Sequence, residues 1–419
     1  MDGDRTGCCD SLVKGLMPHA HVLEELLQLA EPVTGDCCVG LDAMAGRVLS
    51  QDITAPFSLP SYDNSAMDGY ALGQGDDSGT YRIIARTAAG DDAPENQLEP
   101  GQAVRIFTGA AIPDGTFTVA MQENVTRNGD LISISKGPIK AQHIRRTGED
   151  ILSQSVVLKA GTRLDARHVA IVTALGLSNA WVYSPIRIAL FSSGKELREP
   201  GKSLSQTAIY DSNRWMLMAL LKSPIFKIMD LGILPDNRAA ITKVLERAGE
   251  VSDLILSTGG VSVGEEDHMF GALTAAGSNV RQYRMAVKPG KPVVFGRIGR
   301  AISLCLPGNP VAALVSFQLL VRPVIAALSG GKVAELQPMA AVADFEWSRK
   351  PGRSEYFPAQ CLSYDSNGMP VLKRLGQGNS AQLSPLIDAD GLARVSGETI
   401  KITPGDRLDW FPFSGGFPV

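Results

Sequence analysis

The sequence predicts a multidomain α/β protein: one α/β domain on a mostly parallel sheet, joined to smaller domains richer in β-structure. Three observations carry this. Between residues 186 and 331, apolar strand-like runs alternate with helical periodicity, the pattern of a parallel sheet covered by helices on both faces. Short β-type runs broken by Gly, Asp, Asn and Pro clusters fill the stretches on either side, and the chain holds 43 glycines and 25 prolines to make such turns. Its 419 residues exceed one ordinary domain of roughly 100–200 residues.

Residues 1–17 read as a tail. A helix is expected over 21–30, with Val22, Leu26 and Leu29 on one face, and a second helical piece over 41–48. From 53 to 150 the runs 81–84, 104–107, 118–121 and 131–134 form a small, mostly β domain. A strand at 155–158, a helix at 165–175 and a strand at 180–183 follow. The pieces before and after the β insert, 18–52 and 151–185, are expected to pack as one discontinuous, mixed helical domain.

The α/β domain, 186–331, takes strands at 187–191, 227–231, 253–256 and 302–306 and helices at 213–221, 238–248 and 266–276. Asp211 or Ser212 can cap the first of these helices. Asn309-Pro310 opens the last, with Asn at the N-cap and Pro in the first helical position. The apolar stretch 311–328 contains Gln318, Arg322 and Pro323, which fits a buried helix or helix pair rather than a membrane span. From 332 to 419 the runs 341–345, 355–362, 370–375, 392–395 and 399–402 predict a small β barrel or sandwich.

Composition narrows the function. A net charge of −4 lacks the basic excess of a general nucleic-acid binder, so any anionic ligand needs a local cluster of cations. The acidic, polar start lacks the apolar core of a signal peptide. Six cysteines without CxxC or zinc-ligand spacing fit a reducing cytoplasmic compartment.

Polar or glycine-rich loops follow several of the α/β strands, at the carboxyl edge where such sheets bind ligands, and a lysine-bearing loop lies in the same domain. Gly259, Gly260, Ser262 and Gly264 lie in a glycine-rich loop that brings backbone amides close to an anion; its plain structural reading is a tight turn before acids in a first helical turn. Arg284 and the stiff Lys288-Pro-Gly-Lys-Pro292 loop suit an oxyanion, although alone they read as a solvated turn. Leu306-Pro-Gly-Asn-Pro310 is both a helix cap and an exposed polar turn. Phe191-Ser-Ser-Gly-Lys-Glu-Leu197 and Tyr210-Asp-Ser-Asn-Arg214 complete the edge, and Asp236 follows a neighbouring strand. In the β insert, Tyr62-Asp-Asn-Ser-Ala-Met-Asp-Gly-Tyr70 and His143-Ile-Arg-Arg-Thr-Gly-Glu-Asp150 are polar turns, which Asn, Asp and Gly at that density often are. The surplus carboxylates Asp68, Asp150, Glu196, Asp236 and Asp267 would repel bound phosphates unless a hard divalent cation lay between them, which suits magnesium. The matching chemistry is attack on a phosphoanhydride.

Six motifs in order, Asp63-Asn-Ser-Ala-Met-Asp-Gly-Tyr-Ala71, Phe107-Thr-Gly-Ala110, Arg146-Thr-Gly-Glu-Asp150, Gly259-Gly-Val-Ser-Val-Gly264, Lys288-Pro-Gly-Lys-Pro292 and Leu306-Pro-Gly-Asn-Pro310, resemble the molybdopterin molybdenumtransferase (MoeA and gephyrin) family. The resemblance runs from about residue 20 to 419 and is thin after 331. It implies a four-domain subunit with a three-layer molybdopterin-binding α/β domain and a C-terminal β-barrel, in a cytoplasmic homodimer with a composite active site. It implies that molybdate and adenylylated molybdopterin react with magnesium to give molybdenum cofactor and AMP. By position it carries catalytic roles onto Asp68, Asp150, Glu196, Asp236, Asp267, Lys288 and Lys291, with Asp68, Glu196, Asp236 and Asp267 facing the metal. It carries binding roles onto Thr108, Arg145, Gly259, Gly260, Ser262, Gly264, Arg284, Pro307, Gly308, Asn309, Pro310 and Ser380. Implied partners are the molybdopterin adenylyltransferase that supplies substrate and the molybdoenzymes that accept product, with no nucleic acid and no membrane. Lys195 stands where the family commonly carries Asp or another polar residue, and Arg284 where Lys is usual. A nucleotide-pyrophosphate hydrolase and a non-catalytic molybdopterin-binding scaffold are the alternatives on the same fold.

Overall fold

The computed structural model describes residues 12–33, 35–75, 79–94, 97–135, 137–260, 268–331 and 336–414. Contacts divide the chain into two compact units. One comprises Met1–Ser50, Gly161–Arg167 and Asn179–Val419; the other comprises Gln51–Ala160 and His168–Ser178.

The larger unit is built on a seven-stranded sheet in the spatial order Leu12–Met17, Arg281–Met285, Pro292–Ile298, Ala301–Leu306, Leu254–Thr258, Ile186–Ser193, Phe226–Leu234. Four of its pairings are parallel. Alternation with period two explains the three layers. Ile188 and Leu190 face one core with Leu254, Leu256, Ile302 and Leu304, under the helix residues Val311, Val315 and Val324. Ala189 and Phe191 face the other core with Ile255 and Cys305, under Ile241, Leu245 and Met269. Leu254–Thr258 and Ala301–Leu306 are buried at every position, as expected of central strands covered on both faces. Each fully buried Leu, Ile or Phe here contributes about 1.5–3 kcal/mol.

Several expectations change. Leu12–Met17, read as tail, is a strand that pairs in parallel with Arg281–Met285. Its alternation is too short to register in a local window. The helix expected over 41–48 shrinks to a 3-10 turn, Leu41–Ala43, because Gly46 takes a positive φ of 84°. Arg281–Met285 and Pro292–Ile298, absent from the sequence reading, form an antiparallel hairpin, so the sheet is mixed. The helix expected over 266–276 is described from His268 to Ala275.

Pro310–Leu328 is one continuous helical run that is apolar and long enough to cross a membrane, yet 72% of it is buried inside the protein. Phe317–Val321 adopts π geometry just before Pro323, which brings no N–H and whose ring crowds the preceding turn.

The C-terminal residues of this unit close into a barrel. Ser354–Tyr364 pairs with Pro370–Arg374 on one side and Gly391–Val395 on the other, and Met339–Ala343 and Arg407–Pro412 complete the ring. The last strand was not anticipated. Phe357, Leu372, Leu408 and Trp410 fill its core. The pair Val287–Lys288 adds in parallel to Ser354 and Glu355, which draws the lysine loop of the α/β region onto the barrel.

The smaller unit carries a six-stranded sheet in the order Thr118–Met121, Gly69–Leu72, Gln102–Ile106, Thr80–Thr87, Leu131–Ile134, Val125–Asn128. The helix Ala166–Ala174, expected in the discontinuous domain, belongs almost entirely to this unit, while the antiparallel pair of Asp36–Gly40 with Asn179–Tyr183 belongs to the larger one.

Candidate active site

In the larger unit the carboxyl ends of adjacent parallel strands carry several of the expected residues. Gly259 follows Leu254–Thr258 with φ of 85°, and a Cβ there would lie 2.2 Å from the Ser193 carbonyl oxygen, so only glycine lets these two strand ends approach. Gly260 also has positive φ. Ser262, Gly264 and Asp267 lie outside the described residues. Glu196, exposed, folds its carboxylate back over Gly194, whose added Cβ would meet it at 2.7 Å. Asp236, half-buried, follows the neighbouring strand Phe226–Leu234.

The Tyr210-Asp-Ser-Asn-Arg214 motif knits this edge. Asp211 caps the helix Ser212–Leu220 by accepting from the Arg214 N–H. The Asn213 side chain donates to Thr258 Oγ1 at 2.9 Å and to the Gly308 carbonyl at 2.7 Å. Thr258 Oγ1 in turn donates to the Pro307 carbonyl. Arg214, almost fully buried, holds Asp211, Asp230 and Glu199, fixing the excursion that carries Glu196. Burial alone would lower the Arg214 pKa, but these carboxylates outweigh it and raise it.

One open cleft of about 390 Å³ gathers Lys288, Lys291, Pro307, Gly308, Asn309 and Ser380, all named from the sequence. Arg353 also lines it and was missed. The Pro351-Gly352 turn beside it was a local signal, but nothing local says that the barrel brings this turn to the lysine loop. Asn309 sits at the N-cap as expected, yet its side chain makes no capping bond. It donates instead to Ser380 Oγ at 3.0 Å, and the Val311 N–H donates to the Ser380 carbonyl at 3.2 Å. Pro310 is half-buried at the start of that helix. Arg284 is exposed on Arg281–Met285 and does not line this cleft.

The three cations of the cleft differ. Lys288 Nζ is paired with Glu355 Oε1 at 2.8 Å. The side chains of Lys291 and Arg353 have no hydrogen-bond or ion-pair partner among the described residues. Arg353 is held through its main chain, because buried Arg349 donates to its carbonyl.

In the smaller unit the expected acids behave otherwise. Asp68 Oδ1 accepts from the Thr108 N–H and hydroxyl, both at 2.8 Å. These bonds, the N–H first, hold its pKa below the ordinary carboxylate value. Asp63 accepts from the Thr147 N–H at 2.7 Å, from its hydroxyl at 3.0 Å and from Arg146 at 2.5 Å. Desolvation raises the Asp63 pKa, but these partners overcome it and leave it lowered. Asp150 and Arg145 are exposed; the Asp150 N–H donates to the Leu59 carbonyl and Arg145 pairs with Asn64. Among the described residues no three His, Cys, Asp or Glu side chains converge into a group able to hold a metal ion.

Comparison with known proteins identifies the family. Residues 17–176 match the family described as "MoeA N-terminal region (domain I and II)", residues 189–327 the "Probable molybdopterin binding domain", and residues 340–413 the "MoeA C-terminal region (domain IV)". The molybdopterin molybdenumtransferase of Haemophilus influenzae is 37% identical over 380 residues, 90% of this chain and 93% of that protein. The protein of the same name from Nostoc sp. is 35% identical over 88% of this chain and 87% of its own length. A MoeA structure from Pyrococcus horikoshii superposes with a TM-score of 0.79 at 27% identity, covering 95% of this chain and all of that one. With three successive regions matched and close to the whole length aligned, the chain belongs to the molybdopterin molybdenumtransferase family, transferases of molybdenum cofactor biosynthesis.

Proposed function

We propose that this protein inserts molybdate into adenylylated molybdopterin and releases AMP in a magnesium-dependent reaction, the last step in making the cofactor. The observation that carries this reading is the cleft in which Lys288, Lys291 and Arg353 stand beside Ser380 and the Pro-Gly-Asn-Pro turn. Cations fixed on stiff loops, two of them, Lys291 and Arg353, without a side-chain partner among the described residues, suit a tetrahedral dianion, which they attract and orient at little entropic cost. In this proposal Lys291 and Arg353 supply the attraction, while Ser380 and Asn309 add hydrogen bonds that fix the oxyanion's orientation.

The neighbouring strand ends support a bound pterin nucleotide. The hydroxyls of Ser192, Ser193 and Ser257 and Oδ1 of Asn213 are buried there without a hydrogen-bond partner among the described residues. Unpaired buried polar atoms cost about 1–3 kcal/mol each, a cost that a polar ligand at this edge relieves. The glycines at 259 and 260 allow its close approach.

Magnesium enters this proposal through the family resemblance. The described residues do not assemble a three-ligand group, so no step is assigned to the metal. The proposal extends to a cytoplasmic homodimer with a composite active site, supplied by a molybdopterin adenylyltransferase and serving molybdoenzymes.

The test is AMP release from adenylylated molybdopterin by the purified protein, with and without molybdate and with and without magnesium. Release that requires both, with a product that reconstitutes an apo molybdoenzyme, is the expected result. Release indifferent to molybdate would identify a pyrophosphate hydrolase instead, and binding without release a scaffold.

A further inference from the structure

An acid paired with a cation of an anion-binding cleft runs against the cleft's purpose. Glu355 is 4% exposed, lines the small cavity that adjoins the cation cleft through Lys288 and Ser380, and among the described residues is the one carboxylate lining either. Its Oε1 takes the Lys288 ammonium and its Oε2 faces Arg349 Nε at 3.4 Å. Burying a charge is costly, so a carboxylate in this position calls for a reason. Arg349 supplies part of one: Glu355 is its carboxylate partner among the described residues, beside the carbonyls of Ser396, Thr399 and Arg353 to which the guanidinium also donates. Neither that pair nor the joining of barrel and lysine loop, which runs through the backbone of Val287–Lys288 and Ser354–Glu355, accounts for Oε1 being turned to Lys288.

We propose that Glu355 is an internal counter-anion that competes with the bound oxyanion for Lys288 and so sets how tightly the cleft holds its substrate. It is a positioning and affinity-setting residue rather than a catalytic one. Without the substrate, Lys288 is held by Glu355, and among the described residues of the cleft Lys291 and Arg353 offer the unpaired charge. When a dianion enters, it shares Lys288 with Glu355 and feels the carboxylate's repulsion at short range. A cleft with every cation unopposed would hold its anion more tightly and release it more slowly, a poor property where the oxyanion must move on to the pterin. This inference rests on the oxyanion reading of the cleft proposed above.

Coulomb's law supplies a test that packing cannot mimic, since the repulsion scales with ligand charge. Molybdate and perrhenate are both tetrahedral and similar in size, but carry two negative charges and one. Equilibrium dialysis of each anion against the full-length protein compares wild type with Glu355→Gln, Glu355→Met and Glu355→Asp, with thermal melts alongside. In the two neutral variants molybdate affinity should rise on the order of ten-fold at low salt, and perrhenate affinity by about the square root of that factor. Glu355→Asp, which keeps the charge, should stay within about two-fold of wild type. The two neutral substitutions differ in polarity, so a folding defect in one leaves the other to decide. Molybdate affinity that fails to rise above the wild-type value in whichever neutral variant folds, or a rise that is equal for both anions, overturns the inference alone. Absence of molybdate and perrhenate binding by the wild type overturns the cleft reading and this inference with it.

Discussion

The charged turns of the smaller unit and the cation cleft of the larger one use ionisable groups in opposite ways. Asp63 and Asp68 find donors in Thr147, Arg146 and Thr108 and act as loop clamps. Lys291 and Arg353 sit on equally rigid loops with no such partners among the described residues. A charge satisfied by its own neighbourhood holds structure, whereas a charge left unsatisfied on a rigid support is available to a ligand. Asp68 stands between the two, since both bonds fall on Oδ1.

The sharpest way to break this comparison is to remove an unpaired cation. Arg353→Gln is expected to weaken molybdate binding and lower AMP release by on the order of 100-fold without altering the melting temperature, since the arginine side chain has no partner among the described residues to leave behind. Dialysis and turnover measured together check it, and a loss of less than about two-fold would put the ligand elsewhere.

A buried, fully paired acid should show the reverse. Asp253 is 4% exposed and holds Arg187 and Arg300. Desolvation pushes its pKa up, but Arg187 and then Arg300 bring it below the ordinary value. Asp253→Asn should cost about 2 kcal/mol of stability, the figure being reduced because both arginines are partly exposed. Urea unfolding reads this, with molybdate affinity unchanged.

Ser380→Ala removes a neutral hydrogen-bonding group and the acceptor of Asn309. A loss of roughly ten-fold in molybdate affinity, with unchanged stability, is expected. Equal losses in Asn309→Ala and in the double variant would show that the two side chains act as one unit.

The smallest effect concerns the clamps. Because the pKa values of Asp63 and Asp68 are lowered on folding, their stabilisation is present above the ordinary carboxylate pKa of about 4 and is lost as pH falls through the depressed folded value. Hydrogen exchange at the Thr108 and Thr147 amides should therefore keep its protection at neutral pH and lose it in acid. Asp63→Asn and Asp68→Asn should remove that pH dependence while changing global stability little.

The sequence by itself determined the layers. Leu254–Thr258 and Ala301–Leu306 are largely apolar runs, broken only by the small hydroxyl residues Ser257, Thr258 and Ser303, as suits a sheet covered on both faces, and Asp211 announces its helix by a local hydrogen bond. The lysine loop and the Pro-Gly-Asn-Pro turn were legible for the same reason, since their stiffness and charge are written in consecutive residues. Tertiary structure alone decided the rest. The hairpin of Arg281–Met285 and Pro292–Ile298 and the edge strand Leu12–Met17 exist through pairing with distant strands. Arg353 joins the cleft because Ser354 and Glu355 pair with Val287 and Lys288. Whether a charge is free or taken depends in the same way on residues far apart in the chain. Asp68 lies 40 residues from the threonine that satisfies it, and Lys288 lies 67 residues from Glu355. A local pattern records what a side chain is, but its electrostatic partner is chosen by folding.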